Sequence, residues 1–319
     1  MTTFGDQVKH FGGIPVDSGG QNNWPGYWGS DVWFVDGDNG DAANNLARDN
    51  SPTTALAKPS EAVSAAAAGD TIYVKPRVPT SDASDPTVYA DELVIPFAKH
   101  SLSIIGTRRG HDIFYGPKLK LGTADAVVDV YAPAFTLENF TIHRRGSNTK
   151  GVYLRGVTGY ATKAGSVASH ISNCMLRYGS PHGIFIEWGY HSNVNNCTFW
   201  GNDISLYITG QSVPQRGMSV VGCNFYGANG AIPAGPDIRL LGASTELTID
   251  RCLFDLVPTS TTYIVATGVV DGKITDCHFA AGAGVDVNAA AAAGEIQVGA
   301  GDLSIAGCTD GTGALVIQA

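Results

Sequence analysis

Residues 171–176 read ISNCML, and the phrase returns as VNNCTF (Val194–Phe199), VVGCNF (Val220–Phe225), IDRCLF (Ile249–Phe254), ITDCHF (Ile274–Phe279) and IAGCTD (Ile305–Asp310). Its cysteines, Cys174, Cys197, Cys223, Cys252, Cys277 and Cys308, stand 23, 26, 29, 25 and 31 residues apart. A loose period of this size marks stacked repeats joined by loops of variable length. Three positions before each cysteine is Ile or Val. Two positions after it come Leu176, Phe199, Phe225, Phe254 or Phe279, and only Asp310 breaks the pattern. In a straight strand, residues five apart point to opposite faces, so both apolar columns reach one core only if the chain bends between them. The bend falls on the residue before the cysteine: Asn173, Asn196, Gly222, Arg251, Asp276 or Gly307. All but Arg251 tolerate left-handed backbone well.

The phrase extends upstream without cysteine in FTLENFTI, where Leu137, Asn139, Phe140 and Ile142 take the same slots. A weaker copy, LSIIGT, sets Leu102, Ile104 and Gly106 in register and leaves Thr107 and Arg109 for the later slots. Between phrases lie alternating runs carrying Val152 and Leu154, Ile184 and Ile186, Leu206 and Ile208, and Ile238 and Leu240, a further inward face per coil. The expected fold is all-β: a parallel β-helix of about eight coils. With strands roughly 4.8 Å apart it forms a rod on the order of 40 Å long. Phe140, the six cysteines and the four phenylalanines after them form its core ladder. Six cysteines in one structural slot do not resemble a scattered disulfide framework, so they read as buried free thiols.

The 319 residues are 44% apolar with a formal charge of −9, enough for one elongated core and adverse to nonspecific binding of nucleic acid or an anionic membrane. No apolar run approaches 18 residues, and MTTFGDQVKH lacks the apolar stretch of a secretory signal, so the product is expected to remain in the cytoplasm that makes it unless a particle carries it out. Residues 1–30 form an aperiodic arm in which Phe11, Ile14, Trp24, Tyr27 and Trp28 need a surface to cover them, either a partner or the first coil. Residues 31–319 make one β-helix domain. A short helix over residues 58–68 has Pro59 in its first turn and is placed to plug the amino-terminal end. The turn Asp36–Asp41 is acidic, but Gly40 and Ala47 occupy ligand positions of a calcium loop, and no metal is assigned.

With Val152, Leu154, Ile184 and Ile186 inward, Tyr153, Arg155, Phe185 and Glu187 face outward on adjacent coils, joined by Tyr207. Such a strip suits a subunit interface or a sugar platform. His182, Glu187 and His191, or Asp250 with Asp276, are the thin candidates for acid–base chemistry, and no catalytic residue is assigned.

The VWFVDGDNGD turn, the alanine-rich stretch ending AAGDTIYVKP and the cysteine phrases together resemble the pectate-lyase-like right-handed β-helix superfamily over residues 31–319. That resemblance implies asparagine at the bend, matched by Asn139, Asn173 and Asn196 and departed from by Gly222, Arg251 and Asp276. The opening FGDQVKHFGGIPV, joined directly to a β-helix, is similar to structural proteins of tailed bacteriophages. The resemblance implies a virion protein without a cofactor: a non-enzymatic, homotrimeric capsid decoration (cement) protein on the head surface, binding the major capsid protein through the aromatic arm. Its alternative is a tailspike or receptor-binding protein that binds or cleaves host surface polysaccharide.

Overall fold

Each cysteine phrase splits into two strands around one left-handed residue. In the computed structural model, φ is 66° at Asn139, 51° at Asn173 and Asn196, 64° at Gly222, 51° at Arg251 and Asp276, and 67° at Gly307. The structure describes residues 10–11, 14–15, 31–40, 54–77, 88–108, 116–121, 124–144, 149–156, 165–177, 181–226, 235–255, 262–268, 270–280, 287–289, 296–298 and 303–316. Arg251 adopts the same corner as its neighbours although arginine has no preference for left-handed backbone, so stacking imposes the conformation.

Three faces of parallel strands wind around one core. The first holds the strands before the bend, from Val32–Val35 through His170–Ser172 and Asn193–Asn195 to Leu303–Ala306. After the bend comes the second, with nine strands among the described residues, from Val88–Tyr89 to Thr309–Asp310. The third carries the alternating runs Ala126–Val130, Lys150–Leu154 and His182–Ile186, and the opening of Ile204–Arg216 and of Ile238–Asp250. Those last two 13-residue strands continue into the first face and join the two faces in one sheet.

Registry places like with like. Ile104, Leu137, Ile171, Val194, Val220, Ile249, Ile274 and Ile305 are successive partners on the first face. On the second, Leu119, Ile142, Leu176, Phe199, Phe225, Phe254 and Phe279 are partners. Leu119, and not Arg109, fills the slot of the earliest phrase: an apolar column admits leucine, and the chain inserts residues after Thr107 to bring it there. Phe199, Phe225, Phe254 and Phe279 stack with centroids 4.8 Å apart at each step. All six cysteines are buried and free. Cys223 Sγ lies 3.5 Å from the Val194 carbonyl of the preceding coil and 3.6 Å from its own Val221 carbonyl, a contact repeated at the other rungs. The Cys252 sulfur, and then burial, push the Cys277 thiol up to about 12, so it stays protonated at neutral pH.

A second left-handed corner precedes the first by five residues, at Ser101, Ala134, Ala168, His191, Gly217 and Glu246. Its amides donate across rungs, Ala168 to the Tyr190 carbonyl and His191 to that of Arg216. These residue types share no turn signature, so the sequence pattern passes over them.

Asp310 ends the phenylalanine column by turning the chain. Its Oδ1 accepts the amides of Thr312 at 2.8 Å and Ala314 at 3.0 Å and the Thr312 hydroxyl at 2.6 Å. At the other end, helix α1 spans Pro59–Ala65, shorter than the expected 58–68 because Ala66 is already extended. Its Ala62 and Val63 enter the same core as Trp33 and Ile72. The Asp70 carboxylate ties this end together, accepting Trp33 Nε1 at 2.9 Å and the amides of Asp31 and Ala67. Phe11 and Ile14 are partners in a two-residue antiparallel ladder, while Trp24, Tyr27 and Trp28 lie outside the described residues. Among the described residues no helix is long and apolar enough to cross a membrane.

Two outcomes test this packing. Phe254→Ala should cost about 3–5 kcal/mol in urea denaturation, because the rings above and below are held by their own rungs and cannot collapse into the gap. A Cβ on Gly222 would stand 2.6 Å from Asn196 Oδ1 at a positive φ. Gly222→Ala should therefore lose about 1–2 kcal/mol by the same measurement.

Candidate functional site

The outer side of the third face carries one continuous row of chemistry. Pairing in register sets Val94, Asp129, Tyr153, Phe185, Tyr207, Arg239 and Val265 side by side, one per rung. They point outward because Val128, Val152, Ile184, Leu206 and Ile238, one position earlier, are inside. The Tyr153 and Phe185 rings meet edge to face at 4.8 Å, and Phe185 meets Tyr207 at 5.0 Å. His182 stacks on Phe185 at 5.2 Å and meets the edge of Tyr207 at 4.8 Å.

At the Asp129 end, Arg155 Nε donates to Asp129 Oδ1 and its NH2 group to Asp125 Oδ2, each at 2.5 Å, while Lys150 Nζ reaches Asp125 at 2.7 Å. The Arg155 guanidinium also lies 4.0 Å over the Tyr153 ring, and Lys150 lies 4.7 Å from it. These cations close over Tyr153, which is 8% exposed, whereas Phe185 and Tyr207 remain partly open. Tyr153 thus faces away from the core, as the alternation requires, yet offers little of its ring to a partner. Its hydroxyl donates to Glu187 Oε2 at 3.1 Å.

Charges here are unequal in their hold on protons. Burial opposes the charge of Asp125, but Lys150 and then Arg155 outweigh it and hold the carboxyl below the usual range. Burial raises Glu92, and the neighbouring charges of Asp129 and Asp91 raise it further. A carboxyl inclined to keep its proton therefore lies within electrostatic reach of a carboxylate held by a guanidinium. Burial, with Lys150 behind it, pushes His182 down to about 4, leaving a neutral imidazole among the rings at neutral pH.

The five residues expected on the strip, Tyr153, Arg155, Phe185, Glu187 and Tyr207, come together. Asp125, Asp129, Glu92, Lys150 and Arg239 complete the cluster and were not expected. Carrying the alternation one rung upstream into AVVDV, with Val128 and Val130 inside, turns Asp129 away from the core, where Arg155 covers it. The other candidates disperse. His191 occupies the second corner, and Glu187 is engaged by Tyr153. Asp250 takes Arg251 Nε at 2.7 Å and the Thr275 hydroxyl at 2.8 Å, and Asp276 forms a bend. In the acidic turn, Asp36 pairs with Lys75 at 2.6 Å and Asp38 with Arg77 at 3.1 Å, so both carboxylates serve to hold the turn.

No protein-family model matches the chain, and no curated protein matches it. Among solved structures, the chain is similar to pectate lyase Pel9A with a TM-score of 0.53 and 11% identity, covering 92% of this chain and 80% of that one. A pectin methylesterase from Aspergillus niger gives 0.49 and 12%, covering 94% and 93%. The tailspike gp49 of Acinetobacter baumannii bacteriophage Fri1, a capsular polysaccharide depolymerase, gives 0.36 and 15%, covering 76% and 48%. The chain shares the right-handed parallel β-helix fold of the pectate lyase. The expectation of a non-enzymatic protein does not stand: the pectate lyase that shares the fold is an enzyme, so the fold gives no ground for setting catalysis aside.

Burial pushes the Asp237 carboxyl, one position before the inward Ile238, up to about 7, with a hydrogen bond from Ser205 opposing the rise. Because the folded pKa lies above the unfolded value of 3.8, the folded state binds more protons between the two. Stability should accordingly fall as pH rises from about 4 to about 7 and level off above. Asp237→Asn should flatten that decline in urea titrations run across the range.

Proposed function

We propose that this chain is a polysaccharide-binding and polysaccharide-cleaving β-helix of the tailspike kind, using the outer side of its third face. The observation that carries the proposal is the continuous row in which a carboxylate–guanidinium cluster adjoins open aromatic rings. Partly exposed rings at rung spacing suit the apolar faces of a sugar chain, which would lie along Phe185 and Tyr207. The fold shared with a pectate lyase is consistent with a carbohydrate ligand, as is the resemblance of the opening segment to phage proteins. Capsid decoration drew on a rigid, self-associating body with an adhesive arm, and the comparisons lend it no support.

In this reading Glu92, whose carboxyl burial and the charge of Asp129 incline to keep its proton, serves as general acid. It would give its proton to the glycosidic oxygen as the bond to the anomeric carbon breaks, while water attacks that carbon and yields its proton to Asp129. Arg155 keeps Asp129 oriented for that role, and proton exchange with solvent restores both groups.

Capsular or exopolysaccharide from candidate hosts, incubated with the purified chain, should yield new reducing ends without unsaturated sugar ends. Phe185→Ala and Tyr207→Ala should each weaken retention on the cleaved polysaccharide, by about 1–3 kcal/mol if each ring stacks on a sugar as large aromatics do when buried at interfaces. Glu92→Gln should retain the sugar and lose at least about a hundredfold in cleavage rate. Undiminished cleavage by Glu92→Gln would remove Glu92 from its role. Wild-type retention in the double ring variant would sink the third-face site.

A further inference from the structure

We infer that the outer side of the second face is a separate docking strip for an acidic polysaccharide. The register of that face aligns Lys120, His143, Arg177, Trp200 and Tyr226 in one row, one residue per rung. Each is partly exposed, and Lys118 stands in the adjoining row. The Arg177 guanidinium carbon lies 5.5 Å from the centre of the Trp200 ring. No described strand of this face before Leu253–Phe254 contains an Asp or Glu, and the first carboxylate to follow is Asp255.

That absence is sorting by face, because the chain carries 29 acidic residues against 20 basic ones. Of the described acids, Asp125, Asp129 and Glu187 lie on or beside the third face, and Glu138 and Asp250 on the first. A basic row on an acidic protein is complementary to an anion that approaches from this side alone. Its shape selects the class of anion. Lys120 and Arg177 stand two rungs, roughly 9.6 Å, apart along the rod with His143 between them, and the row then gives way to two aromatic rings. A linear polymer with a carboxylate on successive sugars can follow such a row and lay an apolar sugar face on Trp200 and Tyr226. A DNA duplex, with a phosphate every ~1.7 Å of its length, needs a denser and broader basic surface. The strip lies on a different face from the cluster around Arg155 and does not depend on it.

The test is affinity electrophoresis of the full chain in native gels containing alginate, with dextran and a single-stranded DNA oligonucleotide in parallel gels. Alginate should retard the protein, dextran should not, and retardation should fade as salt rises from about 0.05 to about 0.5 M. Lys120→Glu combined with Arg177→Glu should weaken alginate binding by at least about tenfold. Trp200→Ala should weaken it less, and Lys120→Arg should bind as the parent does. Unchanged melting temperature shows that the charge variant is folded; if it melts early, Lys120→Gln with Arg177→Gln takes its place. The Phe185→Ala/Tyr207→Ala variant separates the two sites, since alginate retention persisting there belongs to the second face even if the third-face proposal fails. Full alginate retention by the folded charge variant overturns the inference, as does equal retention on dextran or tighter binding of the oligonucleotide at matched charge and salt.

Discussion

The structure depends on a backbone hydrogen bond made at a corner. A residue in the left-handed region turns the chain, and the same residue sends its amide to a carbonyl of the next coil: Asn173 to Asn195, Asn196 to Val221, Gly222 to Asp250, Arg251 to Thr275. One act both bends the coil and stacks it. Left-handed geometry costs an ordinary residue about 1–2 kcal/mol, a cost the inter-coil bond and the columns beneath it offset. Asparagine, aspartate and glycine reduce the cost, and Asn139 adds a side-chain bond to the Gly106 carbonyl. Repetition then makes the arrangement cooperative, since each corner needs the coil beyond it.

Everything inside and outside the coil follows from the parity that these corners reset. Inward positions must match the rung above, which is why isoleucine meets isoleucine and phenylalanine meets phenylalanine. Outward positions are free of that demand. Their rows can therefore differ in chemistry from face to face without disturbing the core, and function on such a scaffold is a property of rows. The ion pairs of Arg155 support this view. Asp129 is largely buried, and a buried pair rarely repays its desolvation in stability, so the orientation it gives the cluster is the better reason for its presence.

How much of this was legible in the sequence depended on whether a residue type could announce its conformation. The cysteine phrase did so twice, through the apolar columns and through the Asn, Asp or Gly at the bend. Ala134, Ala168, His191 and Glu246 form an equally regular corner but share no chemistry, so the coil conformation there comes only from stacking. Leu119 was hidden by an insertion between the corner and the column. Asp310 read as a flaw in the pattern and proved to be the device that ends it. The outward strip was visible wherever a clear inward alternation framed it, at Tyr153, Phe185 and Tyr207. Asp129 and Glu92 were not, because their neighbours read as continuous apolar runs, and burial of Tyr153 depended on side chains meeting from different rungs.

The third-face row also has a direction. At one end Arg155 and Lys150 cover Tyr153 and bind the carboxylates of the buried Asp129 and the half-exposed Asp125. At the other, Phe185, Tyr207 and Arg239 stay partly open. A polymer lying on the open rings would approach the covered end with its own chain axis along the rod, because rungs repeat only in that direction. Contacts made along several rungs would then hold a single linkage near Glu92 and Asp129, the arrangement by which remote binding energy is spent on orientation at the reacting bond. A compact domain must assemble such a path from unrelated loops, whereas a solenoid provides it by counting coils.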